Sequence, residues 1–193
     1  MEKGFLNELL RLNQTVFTFK DLLLLWNDIE VVTARKRVNY YVKSGYLYPV
    51  RRGVYTKDRN YNRMELGTRI YTPSYISFET VLGNAGVTFQ QYSQIFLASY
   101  QSRELVVDGQ KYVYRTIKSE YLTNSAGIIN KGAYSVAIPE RAFLDVVYLY
   151  NNYYFDQLSS LDWQKVFELI PMFEGKKFLC KRVNWYYQLS KAN

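Results

Sequence analysis

Nine basic side chains crowd into residues 31–63: Arg35, Lys36, Arg37, Lys43, Arg51, Arg52, Lys57, Arg59 and Arg63, against one acid, Asp58. They account for the whole net charge of +8, and the rest of the chain carries equal numbers of basic and acidic residues. Lysine and arginine at this density neutralise phosphates and release counterions. Interleaved with them are Thr33, Asn39 and Tyr40, whose donors and acceptors, like those of Arg37, suit base edges. The chemistry indicated is recognition of duplex DNA, with Thr33, Arg35, Lys36, Arg37, Asn39, Tyr40, Lys43, Arg51 and Arg52 as candidate contacts.

For catalysis the inventory is thin. The chain has no histidine and a single cysteine, Cys180, which removes Ser-His-Asp and Cys-His nucleophilic schemes, structural zinc and internal disulfides. No metal or cofactor is expected. A metal-dependent nuclease would have to draw on Glu79, Glu104, Asp108 and Glu120. No aspartate in the chain is followed at strand spacing by a convincing Glu-x-Lys, and Asp108 before Gly109 is explained by turn chemistry. The chain is expected not to be an enzyme.

The elements that position the basic residues follow from apolar spacing. Leu6, Leu9, Leu10 and Leu12 give an opening helix one apolar stripe, which Asn13-Gln14-Thr15 stops. Thr18 is an N-cap for a second helix carrying Phe19, Leu22, Leu23, Leu25 and Trp26, with Asp21 near its positive end. Thr33 caps a third helix reaching about Lys43, whose buried stripe is Ala34, Val38, Tyr41 and Val42 and whose opposite face is basic. Gly45 ends it, and two β-prone runs, Tyr46 to Val50 and Val54-Tyr55, flank the turn Arg51-Arg52-Gly53. Three helices followed by a basic-tipped hairpin read as a winged helix-turn-helix over residues 1–63.

Residues 57–73 read as a connection, made partly helical by Met64, Leu66 and Ile70 and ending at Pro73. Residues 74–193 read as a second, mixed domain. Ser77 is placed as the N-cap of a helix carrying Phe78, Val81 and Leu82. Strands are predicted at 95–98, 105–107, 111–118, 121–129 and 133–138, forming a largely antiparallel sheet around the turns Asp108-Gly109 and Asn130-Lys131-Gly132. Pro139 opens a helix, and two more begin after Asp162 and at about Lys176. The expected fold class is α+β. The longest apolar run, Leu22 to Trp26, is too short to cross a bilayer and no secretion signal stands at the N-terminus, so a cytoplasmic protein without a membrane partner is expected.

Three stretches, Val42 to Tyr55 (VKSGYLYPVRRGVY), Tyr75 to Gly86 (YISFETVLGNAG) and Ala137 to Asp145 (AIPERAFLD), resemble in order and spacing the AbiEi family of abortive-infection, type IV antitoxins and transcriptional regulators. Together they cover most of residues 15–150. The resemblance implies a winged helix that represses its own operon and a following domain that counters a nucleotidyltransferase toxin encoded next door, with or without a stable complex. The chain lacks that toxin's Gly-Ser turn and Asp-x-Asp pair, so it resembles the antitoxin half. It is shorter after residue 150 than longer members. Glu140 and Arg141 are candidates for an antitoxin surface, although their types equally suit helix initiation and an ion pair from Arg141 to Asp145. A plain winged-helix transcription factor with a ligand-sensing or dimerising second domain is the alternative, ahead of the nuclease.

Overall fold

The apolar patterns resolve into an α+β structure, described by a computed structural model over residues 2–27, 30–173 and 175–192. The first part runs α1 (Glu2–Arg11), β1 (Val16–Thr18), α2 (Phe19–Leu25), α3 (Val31–Lys43), β2 (Tyr48–Arg51) and β3 (Val54–Thr56). Its three strands pair antiparallel in the order β1-β3-β2. Thr18 starts α2 through a complete capping box: its hydroxyl accepts the Asp21 N–H while the Asp21 carboxylate accepts the Thr18 N–H. Leu9, Phe17, Leu22, Trp26, Ala34, Val38, Tyr41 and Leu47 close the core between these helices.

Gly45 sits just past α3 at φ 74°, a conformation that favours glycine, and its N–H donates to the Val42 carbonyl. The hairpin then differs from expectation. Tyr46 and Leu47 are not in strand, because both N–H groups donate to the Tyr41 carbonyl at the end of α3. Arg51 is the last residue of β2, leaving Arg52-Gly53 as the turn. Strand β1 was not anticipated: three residues are too few to show a period of two.

The expected connection is a buried helix, α4 (Arg63–Ile70), capped by the Asn62 side chain. Glu65, Leu66, Gly67 and Thr68 are all buried. The Glu65 carboxylate accepts the N–H groups of Thr15 and Val16 at 3.0–3.1 Å and the Thr15 hydroxyl at 2.6 Å, clasping the start of β1. Arg69 on the same helix pairs with Asp21 at 3.2 Å. Val16 and Val54 belong to the larger apolar core, so that core continues under the small sheet.

The second sheet has six strands: β4 (Ser74–Ile76), β5 (Ile95–Ser99), β6 (Arg103–Val107), β7 (Gln110–Thr116), β8 (Ile128–Asn130) and β9 (Ser135–Ala137). Their order is β6-β7-β5-β4-β9-β8. It is mixed rather than largely antiparallel: β5 with β7 and β4 with β9 run parallel, and the other three pairs antiparallel. The antiparallel hairpins announce themselves through local turn residues, whereas the parallel pairs join segments with no shared turn. Five helices accompany the sheet: α5 (Glu79–Asn84), α6 (Ser119–Leu122), α7 (Pro139–Leu149), α8 (Trp163–Leu169) and α9 (Lys177–Ala192). The predicted strand at 121–129 is instead the end of α6, a turn and β8, with Tyr121 and Leu122 buried as helix residues. Ser77 does not cap α5. That position belongs to Phe78, at φ 54°, while the Ser77 hydroxyl donates to Asp145. Among the described residues no helix is long and apolar enough to cross a membrane.

Replacing the buried Glu65 by alanine strips the Thr15 and Val16 N–H groups of their acceptor. The expected loss is about 3 kcal/mol of stability, read by urea denaturation, with Glu65→Gln recovering part of it. An E65A midpoint equal to wild type would contradict the assignment of the clasp.

Candidate nucleic-acid interface

Helix α3 begins at Val31 with Glu30 in the N-cap position, where its side chain makes no capping bond. Thr33 is therefore the third helical residue rather than the cap, and it is exposed. Ala34, Val38 and Tyr41 face the core. At about 100° per residue, Val32, Lys36, Asn39 and Lys43 fall in one line along the opposite face, with Arg35 to one side and Thr33 and Tyr40 to the other. All seven are exposed, Tyr40 by 52%. This is the face on which the basic candidates were expected, extended at its N-terminal end by a valine.

Arg37 departs from that set. It lies about 140° around the helix from Val32 and is partly buried. Its guanidinium stacks 3.9 Å from the Phe5 ring centroid and 5.3 Å from that of Trp26. It ties α1 to α3 by cation–π attraction and is withdrawn from the exposed face.

The hairpin tip is brought to the same neighbourhood by Phe19. Its N–H donates to the Gly53 carbonyl at 2.8 Å, and its ring lies 5.8 Å from the Arg35 guanidinium. One residue at the start of α2 thus touches both the turn of the hairpin and the flank of α3. Gly53 adopts φ 74°, so the tight turn favours glycine there. Arg52 is exposed at the turn. Arg51 is exposed too, but its guanidinium lies 5.8 Å from the Tyr71 ring, just beyond α4, so it also braces the hairpin.

Glu140 and Arg141 form no surface. Arg141 has 0% exposure and Glu140 6%. The Arg141 guanidinium donates to Asp145 at 3.0 Å, to the Tyr75 hydroxyl at 2.7 Å and to the carbonyls of Tyr121 and Ala126 at 2.7 and 2.8 Å. Tyr75 and Ser77 in turn donate to Asp145. Burial raises the Tyr75 pKa well above its ordinary value and keeps the hydroxyl a donor. Glu140 accepts the Asp162 N–H. The Pro-Glu-Arg stretch is a satisfied polar centre that ties α7 to β4 and to the loop after α6. That loop approaches so closely that a Cβ at Gly127 would lie 2.8 Å from the Arg141 Cβ.

The four carboxylates considered for metal chemistry are dispersed. Glu79 is buried against Arg115 at 2.7 Å, Glu104 pairs with Lys111, Asp108 holds Tyr61 and Arg63, and Glu120 lies near Lys118. No group of three or more metal-ligating side chains occurs among the described residues. A half-open cavity of about 560 Å³ lies beside α5, lined by Glu79, Thr80, Asn84, Thr88, Gln90 and Tyr92 among others.

Sequence reasoning missed Val31 and Val32 because it capped α3 at Thr33, three residues past the observed cap at Glu30. The usable signal was the i, i+4, i+7, i+11 spacing that Val32 shares with Lys36, Asn39 and Lys43.

Two substitutions separate these roles. Arg37→Ala is expected to lower stability by about 1 kcal/mol through loss of ring stacking, measurable as a lowered melting temperature. Arg141→Ala strands the Asp145 carboxylate in the core and should cost about 3–5 kcal/mol, so that the purified protein shows a collapsed or absent unfolding transition. A well-folded R141A protein would contradict a structural role for this residue.

No family model matches this chain, and no curated protein matches it.

Proposed function

We propose that the protein is a DNA-binding transcriptional autorepressor and the antitoxin of a type IV, abortive-infection toxin-antitoxin pair, countering a nucleotidyltransferase toxin. In this reading the first three helices and three strands form a winged helix-turn-helix, α3 is the recognition helix and the β2–β3 hairpin is the wing. The observation that carries it is the contact of Phe19 with both Gly53 and Arg35, which gathers the exposed face of α3 and the basic turn around one point. Lys36, Lys43, Arg35 and Arg52 are suited to phosphates. Asn39, Thr33 and Tyr40 are suited to base edges. Repression follows from occupancy of the promoter.

The antitoxin half of the proposal is supported by the resemblance of Tyr75 to Gly86 and Ala137 to Asp145 to the AbiEi family. Both stretches supply the buried network of Tyr75, Ser77, Arg141 and Asp145, which accounts physically for that residue pattern as a fold determinant. The protective surface is therefore sought among exposed residues around that centre.

A second reading, a transcription factor whose second sheet senses a small molecule, is favoured by the cavity beside α5, where the buried Thr88 hydroxyl has no hydrogen-bond partner among the described residues.

The DNA-binding claim is tested by salt titration. Lys36→Ala and Lys43→Ala should each weaken duplex binding and reduce the slope of log K against log salt by about 0.9 for each phosphate no longer neutralised. Arg37→Ala should leave the slope unchanged, and slopes identical in all three variants would overturn the assignment. Co-expression with the nucleotidyltransferase of the adjacent reading frame separates the two readings. Growth rescue supports the antitoxin, and repression without rescue supports the sensor.

A further inference from the structure

Val32 stands at the N-terminal end of the outward face of α3, in line with Lys36, Asn39 and Lys43, and is 62% exposed. Among the described residues, nothing in the fold asks for an apolar residue there. The helix buries its other side, a β-branched residue in an exposed first turn adds little to helix formation, and an uncovered isopropyl group gains nothing from water. Its neighbours on the same line are a lysine, an asparagine and a lysine, so this valine is the apolar point in an otherwise polar row.

The base edges in the major groove offer such a side chain one apolar target, the C5-methyl group of thymine; the other positions are hydrogen-bond donors or acceptors. In a helix-turn-helix the N-terminal residues of the recognition helix contact base edges, and Val32 is the second residue of α3. We infer that Val32 is a specificity-determining residue that reads the methyl group of a thymine, with Asn39 on a neighbouring base edge and Lys36 on an adjoining phosphate. This inference rests on the DNA-binding reading above. It adds a sequence requirement that the basic side chains do not impose: an A·T pair, oriented with its thymine toward the N-terminal turn of α3.

The experiment uses the full chain and a duplex enriched by the wild-type protein from a random-sequence pool. Each thymine of that duplex is replaced in turn by deoxyuridine, which removes the methyl group and leaves the hydrogen-bonding pattern intact. Removing one buried methyl from the interface is expected to weaken wild-type binding about fourfold at one position per bound protein. Val32→Ala, on an exposed site where folding is undisturbed, should bind the thymine duplex about as weakly as wild type binds the deoxyuridine duplex. It should also be indifferent to the replacement. A selected duplex whose thymines can all be replaced without effect, or a V32A protein as sensitive as wild type, overturns the inference and leaves DNA binding standing. A change of solution mass in V32A with unaltered sensitivity to deoxyuridine likewise overturns it, in favour of a contact between copies. Failure to enrich any duplex overturns both readings together.

Discussion

The carboxylate of Glu65 is the point from which the architecture can be understood. It is buried, it lies on the helix that follows the hairpin, and it accepts two backbone N–H groups and a hydroxyl from Thr15 and Val16, some fifty residues earlier in the chain. A charge in such a site is tolerable only because every partner is a donor. With β1 fixed in this way, β3 can pair with it, the hairpin is held against α4, and α2 starts from the Thr18 cap at a defined place. The Arg69–Asp21 pair and the stacking of Arg51 over Tyr71 reinforce the same junction. The helices carrying the exposed basic face and the large mixed sheet are therefore joined through polar groups as well as apolar ones.

Polar residues are divided between two uses. Around α3 and the hairpin they are exposed, of one sign, and arranged along a helix face. Around the second sheet, Arg141, Asp145, Tyr75 and Ser77 are turned inward and consumed by one another or by backbone carbonyls, and the buried Glu79 is paired with Arg115. The proposed division of labour follows from this placement: outward charge for a polyanion, inward charge for conformational definition. Arg37 and Arg141 show that residue type alone does not say which use applies.

Local chemistry was legible in the sequence. The Thr18 cap, the glycine after α3, the Asp108-Gly109 turn, with φ 48° and 75°, and the opening of α7 at Pro139 all depend on neighbours a few residues away. What was not legible depends on distant partners. The two parallel strand pairs, the burial of α4 and the inward course of Arg141 are decided by segments fifteen to seventy residues off. The start of α3 was misplaced for a local reason: Glu30 makes no side-chain cap, so Thr33, a better capping residue, drew the boundary too late. That error of three residues concealed the valines at the start of α3.

On the proposed function, α3 and the hairpin turn meet duplex DNA. The most direct measurement is residue-resolved: amide chemical shifts of the isotope-labelled protein, followed while a duplex from upstream of its own reading frame is added. Perturbations are expected to concentrate at residues 31–43 and 51–53, with the amides of β4 and α7 little changed. Perturbations centred on the second sheet, or none at all with the protein folded and the duplex in excess, would contradict the proposed function.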